Sequence, residues 1–125
     1  MGYLYSRTFF IDYTFQFTTY AFFNRSRSWL RPNPTATIGG LNYLLRHEQL
    51  HFDIAEIFAH KLLQEFNKHH YTYRFSAEID QVYANVNKQK IEMENKYDLE
   101  TRHGVDANKQ AYWDEYITGM LKQLN

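Results

Sequence analysis

The sequence predicts an α+β domain, a small aromatic-rich antiparallel β element followed by three helices. Three observations carry this. Residues 9–23 alternate with period two, with Phe, Ile, Tyr and Phe leading the odd positions and Asp12, Thr14, Gln16 and Thr18 on the even ones, as in a strand with one buried face. From Leu41 the apolar residues switch to i, i+3, i+4 spacing, the period of an amphipathic helix. Ser76, Gly104 and Asp106 then stand where helix caps are needed.

Fifteen residues is long for one strand, so the alternation fits either a bent strand or two short ones. Residues 24–40 hold both prolines and two of the five glycines and read as a connection. The first helix, near residues 41–66, carries Leu41, Leu44, Leu45, Ile54, Ala55, Ile57, Phe58, Leu62 and Phe66 on one broad face, and Gly and Pro are absent from it. Residues 67–73 break the pattern and turn the chain. The second helix starts near Ser76, directs Ile79, Val82, Val86, Met93 and Tyr97 inward, and ends at Gly104. A short last helix follows Asp106, with Ala111, Tyr112, Tyr116, Met120 and Leu124 as its stripe.

A chain of 125 residues is one domain's worth of polypeptide, and further N-terminal strands outside it are left open. Leu, Ile, Val and Phe form about a quarter of it, above the roughly 20% below which disorder is expected. Mean hydropathy is nevertheless −0.64. Fourteen Lys and Arg balance fourteen Asp and Glu, which argues against a nucleic-acid partner. No apolar run approaches a membrane span. The absence of cysteine removes a thiol nucleophile, a Cys zinc site and a disulfide scaffold. Nothing in the sequence signals an oligomeric state.

One motif carries chemistry. Residues 47–51 read His-Glu-Gln-Leu-His, an HExxH inside the first helical pattern. On a helix, i and i+4 lie one above the other, so His47 and His51 can aim imidazole nitrogens at one Zn²⁺. Glu48, offset by one residue, can act as general base on a water activated by the metal without ligating it. The bland alternative is two histidines and a solvated glutamate on an amphipathic surface.

A catalytic site needs a third protein ligand. The extended HExxHxxGxxH pattern requires Gly at 54 and His at 57, where this chain has Ile54 and Ile57. The ligand therefore comes from farther along. If the first two helices are antiparallel about residue 71, position 49 mirrors to roughly position 93 by equal rise per residue. Glu92, Glu94, Asp98, Glu100 and His103 are the candidates, the first four better placed by this geometry.

The stretch LLRHEQLHFDIAEIFAHKL (44–62), with YDLETRHG (97–104), a following Gln110-x-x-Trp113 and an upstream Ser28-Trp29, resembles the bacterial domain family of unknown function numbered 922, described as predicted secreted zinc-dependent proteases. The likeness runs over roughly residues 13–113. It implies a zincin-like fold with HExxH on the first long helix, zinc on His47 and His51, and Glu48 as base. It also implies His103 as third ligand, with Asp98 second, and Gly104 lets the backbone swing His103 back. A peptide or protein substrate and a periplasmic or secreted location follow from the same resemblance.

The remaining residues have plainer readings. Glu56 or Asp98 can hold an imidazole N–H behind the metal. Tyr97 is core, with an oxyanion donor as the alternative, and Thr101 bonds at a helix end. Trp29 and Trp113 are core anchors, and His60, His69 and His70 are surface residues. Two functions are thus in view: a zinc-dependent peptidase, and a non-catalytic binding domain with a structural or vestigial metal site.

Overall fold

In the computed structural model, residues 2–9, 11–22 and 38–124 are described. Ser28, Trp29 and most of the predicted connection lie outside them. Strands β1 (Gly2–Phe9) and β2 (Phe15–Phe22) pair antiparallel, with Gly2 opposite Phe22 and Phe9 opposite Phe15. Helices α1 (Ile38–Lys68), α2 (Phe75–Thr101) and α3 (Ala107–Gln123) follow. The fold is α+β, two antiparallel strands and then three helices. No helix among the described residues is long and apolar enough to cross a membrane.

The aromatic alternation resolves into two strands, and β1 begins earlier than the alternation indicates. A 3₁₀ turn at Ile11–Tyr13 interrupts it, with Asp12 and Tyr13 at φ 62° and 58°. The reversal puts Phe9 and Tyr13 out of the core, both exposed, while Phe17 stays buried beneath β2. Phe17 stacks on Phe66 at a centroid distance of 4.3 Å, and Thr19 Oγ1 donates to the Ala59 carbonyl at 2.7 Å. β1 leans over α2, its Tyr3 and Tyr5 rings meeting Tyr83 at 5.7 and 5.4 Å. The hairpin thus roofs the α1–α2 pair.

α1 buries Leu50, Ile54, Ala55, Ile57, Phe58, Ala59, Leu62 and Phe66. Its N-terminal end differs from expectation, since the helix runs through Gly39 and Gly40 from Ile38 and Leu45 is exposed. The turn into α2 is tied by Glu78, which accepts from His69 Nε2 at 2.8 Å and from the Thr72 amide and hydroxyl at 2.9 and 2.8 Å. These bonds, His69 first, hold the Glu78 carboxyl down to about 2. A connection this short leaves α1 and α2 antiparallel neighbours. Arg74, rather than Ser76, precedes the first helical residue of α2.

Asp106 caps α3, its side chain accepting from the Lys109 amide at 3.0 Å. The buried face of α3 is Gln110, Trp113 and Ile117, rotated from the predicted stripe, and Tyr112 and Tyr116 are exposed. The hydrophobic stripe misses this face because a glutamine occupies its first position.

Phe66 is wholly buried between Phe17 and Tyr5, so Phe66→Ala removes the ring that joins hairpin to helix. The expected loss is about 3–5 kcal/mol, read from the shift in urea midpoint at unchanged m-value.

Candidate metal centre

α1 carries His47 and His51 on successive turns, with Glu48 next to His47. His47 is buried and His51 half-buried, because the α1 surface that bears them faces the last turn of α2. There Asp98 completes a group. Its Oδ1 lies 3.0 Å from His47 Nε2 and 2.7 Å from His51 Nε2, and the three residues offer ligand atoms all within 4.8 Å of one another. This group could hold a metal ion. A tetrahedral zinc with bonds of about 2.0–2.1 Å sets ligand–ligand edges of about 3.3 Å, a few tenths of an ångström longer than the two separations present. Solvent reaches the group from the Asp98 side, whose side chain keeps 29% of its surface exposed.

Charge and hydrogen bonding agree with the geometry. Burial alone would depress the His47 pKa, but the hydrogen bonds to Asp98 and Gln110 raise it overall. Burial also opposes ionisation of Asp98, yet the two imidazoles hold its carboxyl far below the usual carboxylate range. In the absence of a metal the group is therefore a carboxylate beside a His47 ring that takes up a proton more readily than a free imidazole.

The surroundings account for most of the 97–104 motif. Tyr97 is fully buried and stacks on the His47 ring at 4.5 Å, and its hydroxyl donates to the His47 carbonyl at 3.0 Å. Burial, first, pushes the pKa of that hydroxyl up, so it remains a donor, and its role is to position His47 rather than to meet an oxyanion. Thr101, also buried, donates to the Tyr97 carbonyl at 2.7 Å. Glu100 accepts from the Trp113 indole at 3.1 Å. Arg102, His103 and Gly104 then take three consecutive left-handed conformations, φ 52°, 57° and 95°. The His103 amide closes on the Asp98 carbonyl at 2.8 Å, and the turn lays Gly104 against His47. A Cβ on Gly104 would stand 3.1 Å from His47 Cγ.

His103 itself is exposed and is not a member of the group that His47, His51 and Asp98 form. The antiparallel helices carry Asp98 to the histidines, within the window that equal rise per residue indicates, whereas His103 lies past the end of α2 (Phe75–Thr101). Glu48 is half-buried, and its side chain makes no hydrogen bond or ion pair among the described residues. Gln110 is the site residue whose part the sequence left unread. Its Oε1 sits 2.8 Å from His47 Nδ1, and only its place in the Gln110-x-x-Trp113 pair singled it out.

The family described as "Bacterial protein of unknown function (DUF922)" matches residues 39–104, more than half of the chain. This chain belongs to that family. No curated protein and no solved structure gives a significant match. The DUF922 span takes in α1, α2 and the left-handed turn, and so contains all three members of the group. Gln110 and the rest of α3 lie beyond it.

Two outcomes follow. Gly104→Ala forces a side chain into a left-handed backbone against His47, with an expected cost of about 1–3 kcal/mol measured by urea unfolding. The second concerns pH. The raised His47 pKa contributes stability that is complete below about pH 6.5, the unfolded value, and is lost as pH rises through the higher folded value. The lowered Asp98 pKa contributes stability present above about pH 3.9 and lost only as pH falls well below it. The metal-free protein is therefore expected to melt highest between about pH 4 and 6.5, and Asp98→Asn to flatten the alkaline fall in Tm.

Proposed function

We propose that this domain is a zinc-dependent peptidase of zincin-like design, with His47, His51 and Asp98 as ligands and Glu48 as general base. One observation carries the reading. Two imidazole nitrogens from successive turns of α1 converge with one carboxylate oxygen of α2 at 2.7–3.0 Å. Two histidines, a carboxylate and an open fourth position are the donor set of catalytic rather than structural zinc. A zinc ion bound there supplies Lewis acidity and a water of lowered pKa.

The chain's own residues do the rest. Gln110 and Tyr97 hold His47 from behind, and the Tyr97 ring packs edge-on against His51 at 5.0 Å. Glu48 stands one position from His47, half-buried and without a side-chain partner among the described residues. Its carboxylate oxygen can take a proton from the attacking water and deliver it to the leaving amine. A carboxylate ligand leaves the site one charge lower than a third histidine would, which places more of the burden of water activation on that base. The substrate is a peptide or protein, and an extracytoplasmic setting goes with this reading through the family resemblance.

Metal analysis and activity together test it. Protein dialysed against zinc and then washed should hold one ion per chain. His51→Ala and Asp98→Ala should lose it, while His103→Ala and Glu48→Gln keep it. Glu48→Gln should also lower hydrolysis of an unfolded protein substrate by about 10²–10⁴-fold. Zinc lost from His103→Ala but retained by Asp98→Ala would move the third ligand to His103. Zinc bound by a wild-type protein that cleaves nothing would make this a binding domain, and absence of zinc would end both metal readings.

A further inference from the structure

We infer that Gln110, from the helix that supplies no ligand, is the positioning residue that fixes the tautomer of His47 and so points a bare Nε2 at Asp98. The inference rests on the metal reading and deepens it.

The hydrogen bonds leave one orientation for the Gln110 amide. Its Nε2 lies 2.8 Å from the Tyr97 hydroxyl and 3.3 Å from Asp114 Oδ1. The Tyr97 proton is already given to the His47 carbonyl, so that oxygen accepts. Asp114 is a carboxylate, anchored in turn by the Arg46 guanidinium, and it also accepts. Both amide protons of Gln110 are therefore engaged, and they settle which end of the amide is nitrogen. The carbonyl Oε1 is what remains for His47 Nδ1 at 2.8 Å. A carbonyl oxygen cannot donate, so Nδ1 carries the hydrogen.

The consequence falls on the other ring nitrogen. A neutral imidazole with its proton on Nδ1 has a lone pair on Nε2, and that atom faces Asp98 Oδ1 at 3.0 Å. Two acceptors at this distance are held apart unless a cation lies between them. Gln110 thus prepares His47 for a metal from the opposite side of the ring, the way outer partners orient ligating histidines elsewhere. All four groups are buried or half-buried, so water cannot readily replace the amide. The sequence distance is long: Gln110 lies beyond the DUF922 span that holds the ligands, and α3 has to dock before His47 is set.

The test uses the full chain and separates this inference from the metal reading. ¹⁵N NMR of the metal-free wild-type protein, at a pH where His47 is neutral, should show its proton on Nδ1. A proton on Nε2 instead would overturn the inference whether or not the protein binds zinc. In the zinc-loaded protein, Gln110→Leu should weaken zinc affinity by about 10–100-fold against a chromophoric chelator. Gln110→Glu, which keeps an oxygen at the same place, should restore affinity to within a few-fold of wild type. Equal weakening in both variants, with the Nδ1 proton retained in Gln110→Leu, would show that Gln110 merely fills space. Should Gln110→Leu fail to fold, the wild-type spectrum and Gln110→Glu still decide.

Discussion

Two imidazole nitrogens set against one carboxylate oxygen need positive charge among them. In this protein that requirement sits where α1 meets the last turn of α2, at separations of 3.0 and 2.7 Å. Protons can meet it, and the raised His47 and lowered Asp98 pKa values describe that state. A divalent ion can meet it with both rings neutral. The two states respond oppositely to alkali, since protons leave as pH rises while a metal binds better to rings that have lost them. Much of the surrounding architecture serves to keep these three groups in place against the cost of burying them.

The scaffold does so by spending apolar contact on one side and hydrogen bonds on the other. The roof of the α1–α2 pair is aromatic, with Phe17, Phe66, Tyr5 and Tyr83 fixing the hairpin across both helices. The floor is polar. Tyr97 grips the His47 carbonyl, Thr101 grips Tyr97, and Gln110 joins His47 to Tyr97 and Asp114. Such a network is worth having only when every member is satisfied, and each polar atom named here has its partner. At the end of α2 two non-glycine residues, Arg102 and His103, adopt left-handed conformations, which cost about 1–2 kcal/mol each. The amide bonds of His103 to Asp98, and of Gly104 and Asp106 to Thr101, offset that strain.

How much of this was legible in the sequence depends on the residue. The switch from period two to helical spacing marks the order of strand and helix, and the HExxH spacing puts His47 and His51 on one side. Equal rise about the 67–73 turn reaches Asp98. What stayed hidden were features that no periodicity encodes. The break at residues 11–14 comes from backbone conformations at Asp12 and Tyr13, which the alternation does not register. The hydrophobic pattern of α3 points to Tyr112 and Tyr116 because it cannot credit a buried Gln110 with an inward face. The matched motif names His103, and the structure leaves that ring exposed beyond the end of α2 and outside the group of His47, His51 and Asp98.

The left-handed turn shows how one short motif can hold several jobs. Tyr97, Asp98, Thr101 and Gly104 each meet the histidine pair or its support within a single stretch of chain, and Gly104 does so only because it has no Cβ. His103 is carried by the same turn to the surface beside Asp98, with its amide bound to the Asp98 carbonyl and its ring in solvent. A motif of this kind is constrained first by the backbone path that returns Gly104 to His47. The turn therefore belongs to the candidate metal centre even though its histidine ring lies outside the group of His47, His51 and Asp98, and the strain stored at Arg102 and His103 is where that centre meets the limits of the fold.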